Sequence, residues 1–381
     1  MDSLTQIVLG AAVGEVVLGR KVGNKAMLWG AIAGTIPDLD VYQSLFFDSL
    51  TANELHRGFS HSIFFSIVFA PILAWILVRK EKILLAVLVG IILAYPSIST
   101  GSPVIIGVLS AAYLLCLFFI IKNTYDRNRA TKWEWTQLFF WSLITHPLLD
   151  CHTTWGTQLL WPLPYKLAWN NIFVIDPLYT APFLLFVVVA MCYNRESRTR
   201  KILNWTGIAI SSLYMLWSLG AKWYTYGVFE ESLAAKGIEY TRLTTVPTPM
   251  NTFLWSATAD GDTVLYSGLY SIFDSDKSVD FKVIKNNHEL VEKYSDEEVL
   301  SRLMLISKEW YVINNDNPDT LVYSDARFGP MYVGSKPTYT FGYKLIRSDE
   351  GILEVEEKRP KADSVFMGEI LNTLWNRVWG K

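Results

Sequence analysis

The chain has 381 residues, 51% of them hydrophobic and 14% aromatic, and its 34 Lys and Arg against 36 Asp and Glu leave a formal net charge of −2. No stretch carries the basic stripe that binds nucleic acid, so no nucleic-acid partner is expected. The three cysteines, Cys116, Cys151 and Cys192, are too few and too apolar in setting for a disulfide framework.

Apolar residues are unevenly spread. Residues 1–223 are dominated by aliphatic and aromatic runs, whereas residues 224–381 are mixed, charged and strand-like, which predicts a helical membrane domain followed by a soluble α+β domain. Runs suited to spanning occur at 4–18, 26–36, 62–78, 83–95, 103–121, 135–149, 176–193 and 203–223, several of them shorter than the roughly 20 residues a span needs. The first positive charges follow the run at 4–18 rather than precede it, so that run reads as a retained helix and not as a signal peptide. The run at 26–36 ends in PDLD and either continues as a helix or re-enters.

Fourteen of the sixteen basic residues before position 222 fall in alternate connections. They include Arg20 and Lys21 after the first run, Arg79 to Lys82 after the third, Arg127 and Arg129 after the fifth, and Arg195 to Lys201 after the seventh. Such residues stay on the cytoplasmic side. Eight passes with both termini outside satisfy every connection, and Arg57 and Lys166 are the two exceptions.

The tail reads as short strands (TVLYSGLYSIF, TLVYSDARF, MYVGS, TYTFGYKLI) separated by Gly, Asp, Asn and Pro turns. A helix is predicted at 295–310, where Ser295 and Glu298 form a capping box. A last helix at 364–379 has Val365, Phe366, Ile370, Leu371, Leu374, Trp375, Val378 and Trp379 at helical spacing; it could lie on lipid or pack on its own domain.

Four of the five histidines fall in two short polar stretches, His56 and His61 in HRGFSHS and His146 and His152 in THPLLDCHTTWG. Asp38 and Asp40 in PDLD, and Asp150 between the second pair, join them. Imidazole and carboxylate together are the ligand set of zinc or another first-row divalent ion. His146 and Asp150 are four apart, on one helical face. His56 and His61, five apart, cannot share a helical face, so HRGFSHS reads as a loop with His61 at the start of the next helix. Each histidine singly could serve a local hydrogen bond, but the clustering of four with three carboxylates on one predicted side argues for one or two metal ions. His288 stands apart in the tail and is expected to be exposed. Asp2 and Asp176 lie where they could cap helices or steady a ligand. Cys151 reads as a small buried residue, and Trp155, Trp161 and Trp169 as interfacial anchors.

DSLTQIVLGAAVGE, GTIPDLDV, HRGFSHS and THPLLDCHTTWGTQLLWP, in this order between hydrophobic runs, resemble the YdjM-like family of membrane-bound metal-dependent hydrolases over roughly residues 1–195. SDARFGP is similar to the extracytoplasmic domain of some longer members. The resemblance implies a helical inner-membrane hydrolase with Asp38, Asp40, His56, His61, His146 and Asp150 at the family's metal motif. Many members carry a Thr-His pair where this chain has Thr5-Gln6. A looser similarity to zinc-dependent phospholipase C points toward phosphate esters.

These readings combine into a metal-dependent hydrolase acting at the outer face on a phosphate ester of a lipid or lipid-linked molecule. The metal, expected to be zinc, is held among Asp38, Asp40, His56, His61, His146, Asp150 and His152. Asp40 or Asp150 would take a proton from water, and Arg57, whose fork suits phosphate, would steady the anion. A membrane metalloprotease and a non-catalytic metal-binding or transport protein are the alternatives. Transport is disfavoured by the apolar interiors of 62–78, 83–95 and 103–121.

Overall fold

The computed structural model describes residues 1–122, 130–317, 319–333, 336–348, 351–358 and 364–380; Arg127, Arg129 and the Gly334-Ser335 end of MYVGS lie outside them. Helix α1 (Ser3–Gly14) starts at Asp2, whose Oδ1 accepts from the Thr5 amide at 3.1 Å. It runs through a π-helical turn, Glu15–Gly19, into a last turn α2 (Arg20–Val22), and Gly23 at φ +64° ends it. Helix α3 (Asn24–Thr35) then returns along α1 at backbone contact. Glycines make this possible: a Cβ on Gly30 would lie 2.1 Å from the Gly10 carbonyl oxygen, and one on Gly14 2.2 Å from that of Ala26. Small residues at a crossing let two helices approach until their backbones touch.

A 3-10 segment, Pro37–Leu45, carries PDLD out of α3, and α4 (Ser49–Leu55) is capped by Asp48. HRGFSHS is the expected loop: it ends in a 3-10 turn, Phe59–His61, directly before α5 (Ile63–Thr100). The runs at 62–78 and 83–95 meet within α5 at a kink rather than a loop, where Lys80 takes φ −139° and ψ 44°. Helices α6 (Pro103–Lys122), α7 (Lys132–Asp150), α8 (Pro177–Met191) and α9 (Arg198–Ala235) follow. A capping box that sequence reading missed, Thr131 with Glu134, starts α7. Asp176 caps α8 through the amides of Leu178 and Tyr179.

Among the described residues four helices are long and apolar enough to cross a membrane: Ser3–Val22, Ile63–Thr100, Pro103–Lys122 and Arg198–Ala235. Helix α3 has 12 residues and α8 has 15, both short of a full span, and α7 has 19. The helices alternate in direction, so their ends form two unlike layers. At one end Lys21 pairs with Glu134, Lys25 with Glu81 and the buried Arg200 with the buried Glu15, while Lys82 donates to the Ile121 carbonyl. At the other end lie the PDLD and HRGFSHS segments, the last turn of α7 and the start of α8.

The strand-rich part holds two four-stranded antiparallel sheets. The first is β1 (Arg242–Pro247), β2 (Leu254–Asp260), β3 (Val264–Ser271) and β4 (Phe281–Lys285) in chain order. Helix α10 (Glu298–Ser307) precedes β5 (Tyr311–Asn317), β6 (Thr320–Asp325), β7 (Met331–Val333), β8 (Lys336–Thr338), β9 (Gly342–Ser348) and β10 (Gly351–Glu357). The second sheet has the order β10-β9-β6-β5, with β7 and β8 a separate ribbon. The expected capping box at Ser295 does not form: Ser295 is helical at φ −58°, ending a 3-10 turn, and α10 begins after Glu297. His288 is also not free in solvent, since its ring stacks on Tyr311 at 3.9 Å.

Contacts on two sides seat this part on the helices. Helix α9 runs on past residue 223, and Val228 and Phe229 pack with Trp255, Ala257 and Tyr270 of the first sheet. On the other side Arg302 of α10 pairs with both Glu54 oxygens at 2.7 and 2.8 Å, and Asn53 donates to the Tyr343 hydroxyl at 2.7 Å. Both of the latter tie the second sheet and α10 to α4, beside PDLD. The last helix, α11 (Ser364–Val378), buries Ile370 and Val378, and its Arg377 pairs with Asp274, so it packs on its own part; the side chains of Val365 and Phe366 lie outside those described.

Candidate metal centre

Three segments bring four donors to the polar end of the helices: Asp38 from the turn after α3, His61 from the turn before α5, and His146 and Asp150 from the last turns of α7. His61, His146 and Asp150 are buried, and Asp38 is 23% exposed. His61 Nε2 and His146 Nε2 lie 3.2 Å apart. Asp38 Oδ1 is 3.4 Å from the first and 3.3 Å from the second, and Asp150 Oδ2 is 3.5 Å from each. Four ligands placed tetrahedrally about 2.0–2.1 Å from a zinc-like ion stand about 3.3–3.4 Å from one another. These residues can therefore hold a metal ion. Asp150 Oδ2 supports this, being a buried oxygen with no hydrogen-bond partner among the described residues.

The far sides of these ligands are fixed. His146 Nδ1 donates to the Gly34 carbonyl at 2.5 Å; since a carbonyl only accepts, the proton sits on Nδ1 and the Nε2 lone pair faces the site. His61 Nδ1 faces Asp40 Oδ2 at 3.3 Å, a carboxylate behind a histidine. Asp150 Oδ1 accepts from Gln6 Nε2 at 2.9 Å and from the Met1 amine. Gln6 thus stands where the resemblance expects a histidine, and it steadies a ligand instead of being an imidazole donor.

Asp40 and His56 form an adjoining layer rather than part of the four-donor group. Asp40 Oδ1 is 3.0 Å from His56 Nδ1, and Oδ2 accepts the Arg57 amide at 2.8 Å. Burial opposes ionisation of Asp40, but the hydrogen bonds and charges of His56 and His61 hold its carboxyl well below the usual range. At His61 burial likewise opposes charge, and Asp150, Asp38 and Asp40 outweigh it, raising its pKa to about 10.

Arg57 sits at φ +57° with its side chain buried, Nε 3.2 Å from Asp150 Oδ2 and Nη1 donating to Thr153 Oγ1 at 2.7 Å. His152 stands outside the group because it follows α7 and turns away: its Nδ1 meets Asn171 Oδ1 at 2.9 Å, and burial lowers its pKa. Trp161 and Trp169 are exposed, whereas Trp155 faces inward, its ring 5.9 Å from His56 and 5.3 Å from Phe341. Cys151 is buried in an apolar cluster with Ile144 and Leu159.

A family model described as YdjM inner membrane protein matches residues 1–225. The chain belongs to the YdjM family. With that description and its apolar helices it is an integral membrane protein, and the matched region contains every donor of the site. The strand-rich part lies almost wholly beyond the match. No curated protein and no solved structure matches the chain.

Proposed function

We propose that this YdjM-family protein is a metal-dependent hydrolase whose substrate is a phosphate ester of a membrane lipid or lipid-linked molecule. The observation that carries the reading is the spacing of Asp38 Oδ1, His61 Nε2, His146 Nε2 and Asp150 Oδ2, 3.2–3.5 Å along each pair involving a histidine nitrogen, beside a buried arginine. A zinc or similar ion held there would supply a hydroxide at neutral pH and polarise the phosphoryl oxygen. Asp38, the ligand that reaches solvent, lies on the side from which substrate would enter. Arg57 would hold the phosphoryl oxygens by its planar fork.

In this reading a histidine, His56, would take the proton in place of Asp40 or Asp150. Asp40 is occupied by His56, His61 and the Arg57 amide, and Asp150 by Gln6 and the ligand position. His56 is 27% exposed with its Nδ1 on Asp40, an arrangement that leaves Nε2 as the ring atom that would receive the proton. Asp40 would orient that ring and His61 together.

The eight-pass arrangement, with both termini and the site outside, is supported by the two-layer helix ends, because Lys21, Lys25, Lys82 and Arg200 gather at the end opposite the site. A lipid whose chains stay in the bilayer would present its headgroup there. A closed four-ligand set also suits a structural ion, and this is the second reading.

The test is release of phosphate or phosphorylated headgroup from purified phospholipids and lipid-linked phosphates in detergent, with chelator controls. Arg57→Ala should keep the metal and lose tenfold or more in turnover, about 1.4 kcal/mol of transition-state stabilisation; Arg57→Lys should recover part. Chelator-sensitive peptide cleavage without lipid hydrolysis would establish a metalloprotease, and bound metal with neither activity a structural ion.

A further inference from the structure

Lys166, one of the two basic residues that break the charge alternation, is brought beside the other, Arg57. Its Nζ donates to the carbonyls of His56 at 2.7 Å and Glu54 at 3.1 Å, and lies 5.8 Å from the centre of the Trp155 ring. Among the described residues no carboxylate reaches it within ion-pair distance. Those nearby are engaged, Glu54 by Arg302 and Asp40 by His56 and the Arg57 amide.

More positive charge converges on the same ring. Arg327, from the SDARFGP segment of the strand-rich part, sets its guanidinium 5.3 Å from the Trp155 centre. Lys308 Nζ donates to the Lys166 carbonyl at 3.2 Å. Arg57 is balanced by Asp150 and Arg327 by Asp325, with bonds of 2.6–3.1 Å in the latter pair. Among the described residues Lys166 and Lys308 are left without an ion-pair partner. Gathering cations beside one aromatic ring, with the nearby carboxylates spent elsewhere, is unfavourable unless an anion joins them. Trp155 adds an independent sign, since its Nε1 is a buried donor with no acceptor among the described residues.

We propose that Lys166, Trp155 Nε1 and Arg327 form a second anion subsite, so that the substrate carries two phosphoryl groups, one at the metal centre and one here. The idea rests on the phosphoesterase reading for the reacting group, while the subsite itself is a matter of binding. It also gives the strand-rich part a role: it closes the site and reads the headgroup. The two phosphoryl groups could be joined directly, as in a lipid-linked diphosphate, or separated by a spacer in the headgroup.

Purified full-length protein in detergent should be titrated calorimetrically with inorganic phosphate, inorganic pyrophosphate and propane-1,3-diyl bisphosphate. One of the two-phosphoryl probes should bind at least tenfold more tightly than phosphate, and which one does so separates a diphosphate from a spaced headgroup. Lys166→Met should abolish that preference while keeping phosphate affinity and metal content, and Lys166→Arg should retain part of it. Trp155→Phe, which keeps the ring and loses Nε1, should lower the preference severalfold, and it decides the matter where Lys166→Met does not fold. Equal affinity for all three probes, or a preference that survives both variants, overturns the subsite. A preference dependent on Lys166 in a protein that hydrolyses no lipid phosphate would keep the subsite and remove the phosphoesterase reading instead.

Discussion

The His146 ring donates from Nδ1 to the carbonyl of Gly34, 112 residues earlier in the chain, across 2.5 Å. Gly34 lies in the glycine-lined contact of α1 and α3, where a Cβ would come within 2.6 Å of the Gln6 carbonyl oxygen. Helix packing and ligand orientation are therefore coupled. The same contact that brings two backbones together aims a ligand's lone pair.

Gly30→Val should disturb both. Its Cβ would overlap the Gly10 carbonyl, and overpacking of this kind costs about 1–3 kcal/mol or more. Thermal unfolding in detergent should fall by several degrees and metal content should drop with it. A variant that unfolds earlier yet keeps full metal would show that the crossing does not position His146.

Removing a ligand separates the four-donor group from its surroundings. His61→Ala and His146→Ala should each abolish stoichiometric metal by elemental analysis. His152→Ala, whose ring meets Asn171, and His288→Ala, whose ring stacks on Tyr311, should leave it intact. Loss of metal in the His152 variant would enlarge the group beyond the four donors.

Asp40→Asn probes the carboxylate behind His61. An amide can still meet the ring but no longer favours Nδ1 as a donor to a full charge, so metal affinity should fall about 10–100-fold rather than vanish. Competition against a chromophoric chelator reads this directly. Complete loss would make Asp40 a ligand in its own right.

Membrane orientation is open to labelling. With Cys116, Cys151 and Cys192 replaced, an impermeant thiol reagent applied to intact cells should modify Tyr165→Cys and Leu305→Cys, both at exposed positions, and leave Glu196→Cys unreacted. The reverse pattern would turn the site toward the cytoplasm.

Much was legible in the sequence wherever the chemistry is local. Apolar runs announced the helical region because lipid-facing and core-facing residues are alike apolar, and the i, i+4 spacing of His146 and Asp150 placed both on one face of α7. HRGFSHS read as a loop because five residues do not return to the same side of a helix. Strands β3, β6 and β9 carried turn signals and β-branched or aromatic residues, whereas β2 (LWSATAD) is buried along its whole length and showed no alternation. The Ser295 capping box failed because a matching residue pair says nothing about where the preceding 3-10 turn ends.

Tertiary structure alone decided which histidines and carboxylates meet. Composition and spacing nominated seven candidates, and only the packing of α1, α3, α5 and α7 sorted them into four facing donors, an Asp40–His56 layer behind, and His152 turned toward Asn171. Gln6 gave no sign in the sequence of its hydrogen bond to Asp150, 144 residues away, nor did Lys166 and Arg327 of their common neighbour Trp155. The physical reason is range. Periodicity and capping act within a few residues along the chain, while a metal site is set by distances of 3 to 4 Å between side chains that only close helix packing brings together.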